Sequence, residues 1–184
     1  METIFSSHKT KDIDFRITQL KTLKIAILEF EEKLSEAMYK DLGKSKIESY
    51  TTEIGFCLRE LSLHINNLRS WAKSKKVSTN WMIFPLAKSF IRKEPLGNVL
   101  IISPWNYPFA LLISPLIGAI SAGNCVILKP SEVAVHTAQV MQDMLNKYFD
   151  QKYIKVILGG ANETQELLRK NFDYIFFTGG EYVG

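Results

Sequence analysis

At 184 residues with 46% apolar side chains, the chain has material for one well-buried domain, which argues against disorder and against a disulfide-stapled miniature. Its net charge of +4 is uneven: residues 1–93 carry 17 Lys and Arg against 11 Asp and Glu, residues 94–184 carry 6 against 8, and acids interleave with bases as on solvated helices, which speaks against a nucleic-acid partner. Cys57 and Cys125 have neither disulfide-framework nor metal-ligand spacing, so the expectation is no metal and a reducing, cytoplasmic setting.

The amino terminus, METIFSSHKTKDIDF, has no apolar core segment and no small-residue cleavage site, so no secretory signal is expected. Residues 9–42 read as one long amphipathic helix, with Ile13, Ile17, Leu20, Lys24, Ile27 and Leu34 to Met38 on helical spacing and Gly43 as its stop. A second helix carries Ile54, Leu58, Leu61, Ile65 and Leu68 on one face, continued by Trp71, with His64 off the stripe and at the surface. This lead, residues 1–72, packs on the domain C-terminal to it or forms a paired-helix interaction module by itself. Helical spacing is lost over residues 73–93, where two extended pieces, Trp81 to Phe84 and Ser89 to Arg92, flank Pro85. Exposed aromatics there suit a partner surface.

Residues 94–184 alternate apolar strands with helices. Asn98 to Ser103 is a run of β-formers between Gly97 and Pro104, Phe109 to Ala122 a helix interrupted by Pro115 and stopped by Gly123, and Cys125 to Lys129 a second strand closed by Pro130. Pro108 to Gly123 is the most apolar stretch, yet it falls short of the roughly 20 residues a membrane span needs. Val133 to Phe149 reads as a helix, Lys152 to Leu158 as a strand ended by Gly159 and Gly160, Thr164 to Lys170 as a short helix, and Tyr174 to Phe177 as a fourth strand. Parallel neighbours need crossover connections, so the fold class is α/β, a Rossmann-like doubly wound parallel sheet preceded by two long helices.

Ligands of such sheets bind at the carboxyl ends of the strands. Ser103 to Asn106, Lys129 to Glu132 and Thr178 to Gly184 all lie there, which points to a nucleotide site. Lys129 can donate to ribose hydroxyls and Glu132 accept from them; the same pair also reads as a solvated lysine and a helix-starting glutamate capped by Ser131. Glycines after the fourth strand let backbone N–H groups approach a pyrophosphate, although the segment is not GxGxxG. Asn106, in a loop packed by Trp105 and Tyr107, can donate from its amide to a developing oxyanion, or close an Asx turn before Pro108.

SPWNYP at 103–108, AGNCVILKPSE at 122–132, FFTGG at 176–180 and the VG at 183–184, with DLGKS at 41–45 and TTEIG at 51–55, resemble the aldehyde dehydrogenases, and among them the short class 3 type. The resemblance implies NAD or NADP held by Ile102, Ser103, Trp105, Lys129, Glu132, Gly160, Thr178, Gly179, Gly180 and Val183. It implies that Asn106 stabilises the oxyanion of the thiohemiacetal, that residues 73–93 form an oligomerisation arm, and that the enzyme is a homodimer oxidising an aldehyde to an acid. The family usually has Ser or Asn where Gly180 stands, and Glu181 would oppose a phosphate if it pointed inward. The family's nucleophilic cysteine and its base come after the Thr-Gly-Gly turn, so the resemblance makes this an incomplete cofactor-binding domain without the catalytic domain. The alternative is a non-catalytic nucleotide-binding or assembly fragment that pairs with a complementing chain.

Overall fold

The two leading helices are set by their caps and by one apolar face each. The structure, a computed structural model, describes residues 2–181. After a short helix α1 (Glu2–Ser6) and a 3-10 turn at Lys9–Lys11, α2 runs from Ile13 to Leu42. It starts four residues later than its spacing predicts because Asp12 stands extended and accepts a hydrogen bond from Phe15 N at 2.7 Å. It stops at Gly43, whose φ of 69° needs a residue without Cβ strain. Leu20, Leu23, Ile27, Leu34 and Met38 are fully buried along its face.

The second helical stretch begins well before the predicted stripe. Ser45 caps α3 (Lys46–Ser49), a π turn occupies Tyr50–Ile54, and α4 runs from Gly55 to Trp71. Ile54, Cys57, Leu61 and Leu68 are buried, while Trp71 is exposed. Helix α2 packs on α4, and both pack on the α/β portion, so the lead is part of the core rather than a separate helix pair. His64 is half-buried rather than a surface residue, because its Nδ1 lies 2.6 Å from Ser121 Oγ and its ring stands edge-on to Trp71.

Residues 73–93 form a hairpin of β1 (Lys75–Val77) and β2 (Ser89–Ile91), with Lys75 opposite Ile91. The predicted extended piece at Trp81 to Phe84 is instead a turn. The Asn80 carbonyl accepts from Ile83 N and Phe84 N at 3.3 and 2.9 Å, and the Asn80 side chain accepts from Met82 N at 3.1 Å, so local bonds replace a cross-strand ladder.

The sheet contains β3 (Asn98–Ile102), β4 (Cys125–Lys129), β5 (Ile154–Val156) and β6 (Tyr174–Phe177), all parallel in the order β5-β4-β3-β6. The crossovers are α5 (Ala110–Ala122), α6 (Val135–Tyr148) and α7 (Ala161–Leu168). The chain moves outward from β3 to β5, then returns to place β6 on the other side of β3. That reversal opens a crevice beyond the carboxyl ends of β3 and β6. Pro115 lies inside α5 without ending it, and Gly123 stops it with φ 91°. A Cβ at Gly123 would stand 2.7 Å from the Arg16 guanidinium, which donates to Ser121 O at 3.2 Å and so ties α2 to the end of α5.

Candidate functional site

Strand register assembles the carboxyl edge. Ile102 pairs with Lys129 on one side and with Phe177 on the other, Ser103 N donates to Lys129 O at 3.2 Å, and Thr178 N donates to Ile102 O at 3.0 Å. Lys129, Ile102, Ser103 and Thr178 therefore stand side by side on three neighbouring strand ends. Ser103 is buried, and its Oγ has no hydrogen-bond partner among the described residues. A buried, unspent hydroxyl at a strand end costs free energy unless a ligand or solvent group meets it.

Lys129 is not a solvated lysine: only 2% of it is exposed, and its Nζ donates to Pro130 O at 2.9 Å with Glu132 Oε2 farther off at 3.7 Å. Burial pushes its pKa down from the ordinary lysine value, against the opposing pull of Glu132. Glu132 is exposed and does not start a helix, since α6 begins only at Val135. The first amides of α6, His136 N and Thr137 N, are capped by Asp41 from the end of α2 at 3.1 and 2.7 Å, while Ser131 Oγ accepts from Val133 N at 3.2 Å. Both halves of the bland reading of this pair therefore fail, and the carboxylate faces solvent beside a desolvated ammonium.

Gly160 opens α7, three residues earlier than its spacing predicts, because Glu163 turns back to accept from Gly160 N at 2.7 Å. Hydrogen bonds from its own amide and that of Gly160 hold the Glu163 carboxyl below its usual range, helped by Lys129. Nothing in the sequence marks Glu163 as a neighbour of Lys129. Past β6, a Cβ at Gly179 would meet the Phe177 ring at 2.3 Å, whereas Gly180 faces open space that a serine or asparagine side chain would fit. Val183 lies outside the described residues.

Asn106 is exposed between exposed Trp105 and Tyr107, so these aromatics do not pack the loop. Its side-chain amide has no hydrogen bond among the described residues. An Asx turn onto residue 108 is impossible because Pro108 has no N–H. The loop is held from elsewhere. Lys44 Nζ donates to Asn106 O at 2.8 Å and to Glu53 Oε1 at 2.6 Å, and lies 4.1 Å from the centre of the Tyr107 ring. Glu53 Oε2 accepts from Phe109 N and Ala110 N at 2.9 and 3.0 Å. Lys44 and Glu53 sit in DLGKS and TTEIG, segments that stand out in the sequence without a role.

Cys57 and Cys125 are fully buried, and burial pushes both thiols up, Cys125 to about 11, so neither presents a thiolate near neutral pH. Among the described residues there is no cluster of His, Cys, Asp and Glu able to hold a metal, and no helix long and apolar enough to cross a membrane.

The sequence pattern of the aldehyde dehydrogenase family matches residues 2–184. The 4,4'-diaponeurosporen-aldehyde dehydrogenase of Staphylococcus aureus is 51% identical over 183 residues, covering all of this chain and 40% of that protein. Aldehyde dehydrogenase family 3 member B2 of Mus musculus is 49% identical over 180 residues, 98% of this chain and 37% of that protein. The chain thus spans 37–40% of the length of these relatives. Among solved structures, Staphylococcus aureus AldH in a substrate-bound state superposes with a TM-score of 0.96 at 50% identity, covering 99% of this chain and 40% of that one. Betaine aldehyde dehydrogenase of the same organism, in complex with NAD+, shares the fold with a TM-score of 0.84 at 24% identity over 99% of this chain and 36% of its own.

Proposed function

The chain belongs to the aldehyde dehydrogenase family, and on that premise we propose that it forms the cofactor-binding part of an NAD(P)-dependent enzyme of class 3 character that oxidises an aldehyde to a carboxylic acid. The observation that carries this reading is the carboxyl edge, where a buried ammonium with donors to spare and a buried hydroxyl without a partner flank the switch point of a parallel sheet. These groups fit a dinucleotide. Lys129 donates to ribose hydroxyls, Glu132 accepts from them, and Ser103 offers its unspent hydroxyl; Ile102, Trp105, Gly160, Thr178, Gly179, Gly180 and Val183 complete the surface. When bound, the nicotinamide supplies the hydride acceptor. Asn106 donates from its free amide to the oxygen of the carbonyl under attack, a contribution of about 3–4 kcal/mol at comparable donors.

The nucleophile is a separate matter. Cys57 and Cys125 are buried, with raised pKa values, which supports an attacking thiolate supplied by residues other than these 184. Residues 73–93 serve as an oligomerisation arm, supported by the exposed aromatics beyond β1, and the assembly is a homodimer. A cytoplasmic location is supported by cysteine spacing that makes no disulfide framework.

Titration calorimetry with NAD and NADP on the purified chain tests the reading. Both should give heat, with NAD the tighter because the Glu132 carboxylate opposes a 2′-phosphate, and Glu132→Gln should narrow that gap. Lys129→Met keeps the buried stem and removes the donors, so binding should weaken about tenfold while the fold survives. No heat with either nucleotide would overturn the cofactor assignment and favour an assembly fragment. Mixed with NAD and an aldehyde, the chain should form no NADH; turnover abolished by Cys125→Ala would refute the structural role given to that thiol.

A further inference from the structure

From the way three sequence segments converge, we infer that Lys44 and Glu53 form a positioning brace that fixes the Pro104–Pro108 loop and thereby aims the Asn106 amide. The inference rests on the reading of Asn106 as the oxyanion donor, but the brace itself is defined by contacts within this chain.

Helix α5 begins with amides that no neighbouring side chain caps. Such N–H groups at a helix start need an acceptor and favour a negative one. Glu53 supplies it from 56 positions away, with one oxygen on both Phe109 N and Ala110 N and the other on Lys44. The carboxylate is fully buried, so it is stable there only with all its partners in place. Lys44 completes the set by bonding the Asn106 carbonyl and covering the Tyr107 ring. The middle of the PWNYP loop and the helix start that follows it are thus tied to one ion pair. Asn106 makes no side-chain bond among the described residues, so its backbone, held by the brace, fixes the Cα–Cβ direction from which the amide extends.

Glu53 lies in the π turn that leads into α4. One extra residue in a helical turn rotates everything before it by about 100° relative to a regular helix. Glu53 and Ile54 face inward together at the end of that turn, with both residues fully buried. Cys57 and Leu61, four and eight residues on, are buried on the same side of α4 as Glu53.

Hydrogen–deuterium exchange of this chain tests the brace. Glu53→Gln removes the charge at constant shape, and Tyr107→Leu removes only the exposed ring over which Lys44 sits, a change that a folded chain tolerates. Asp41→Asn is the control, because it weakens a comparable long-range cap on α6 without touching the loop. Peptides covering residues 104–110 should exchange roughly tenfold to a hundredfold faster in Glu53→Gln, and several-fold faster in Tyr107→Leu, while β4 peptides keep their protection. In Asp41→Asn the loop should exchange as in the parent chain. Loop protection unchanged in both test variants, or lost only in parallel with β4 and to the extent seen in the control, would overturn the brace. NAD titrations on the same variants keep the two ideas apart. Retained heat with a loosened loop supports a role confined to positioning, whereas absence of heat in the parent chain counts against the cofactor reading alone.

Discussion

His64 gives the fold a defined response to mild acid. Its ring is half-buried between Ser121 Oγ and the edge of Trp71, and burial holds its pKa below 6.5, only partly offset by Glu60. Ser121 Oγ also bonds Ile117 O at 2.8 Å, a contact its own proton makes, so the His64 Nδ1 proton is best placed to bond Ser121. In the window between the folded value and 6.5 the unfolded chain binds more protons than the folded one, so stability rises with pH there. Acidification through 6.5 should therefore lower the melting temperature, with the loss levelling off below the folded pKa. In His64→Gln this segment of the curve should be flat; an unchanged slope would assign the effect to another group. The carboxylates of Glu29, Glu94 and Glu163 are held low by their partners, so their contributions persist above 4.5 and vanish only at lower pH, which keeps the two effects apart. Neither the burial of His64 nor that of Lys129 is legible in sequence, because each depends on a partner element: α5 for the histidine, and the neighbouring strands for the lysine.

Elements whose signal is local were readable in advance. The apolar runs of β3, β4 and β6 match their predicted cores, and Gly43 and Gly123 end the helices expected of them, since an apolar run or a left-handed stop needs no distant partner. Where an element is set by a remote cap or a local bond that competes with the pattern, reading failed. Helix α6 starts at Val135 because Asp41 reaches across from α2, and Trp81 to Phe84 turns because Asn80 bonds its own neighbours. The π turn had no sequence signal at all, except that it needs Gly55. A Cβ there would lie 2.9 Å from the carbonyl oxygen of Tyr50, the acceptor of Gly55's own N–H. In an ordinary helix interior Gly→Ala stabilises by about 1 kcal/mol. Here the backbone oxygen cannot yield without opening the turn, so Gly55→Ala should destabilise by about 1–2 kcal/mol. Urea unfolding reads the sign directly, and a stabilised variant would mean that the turn accommodates the added methyl group.

At the scale of the whole molecule, two of the apolar surfaces exposed among the described residues bear on association. The arm beyond β1 exposes Trp81, Ile83, Phe84 and Leu86, and the sheet ends at β6, which among the described residues is paired on one side only. Tyr174, Ile175 and Phe176 of β6 are exposed, and a cleft of about 260 Å³ between β6 and α5 is lined by Leu96, Val99, Ile101, Pro115, Tyr174 and Phe176. An open strand edge with apolar side chains is a template for pairing, and a contiguous apolar patch favours association. The two surfaces predict different behaviour. Association through the arm buries a fixed patch and stops at a closed assembly, while pairing along β6 has no such limit and tends toward larger, insoluble species. The isolated chain should therefore elute from a sizing column well above its 21.0 kDa mass. Ile175→Lys, which charges the open edge, should reduce the largest species and improve solubility, and Trp81→Ser with Phe84→Ser should dissolve the smaller, defined assembly. A compact monomer at every concentration would show that neither surface drives association. Loss of all association in Ile175→Lys alone would remove the arm from the argument and, with it, the dimer proposed through it.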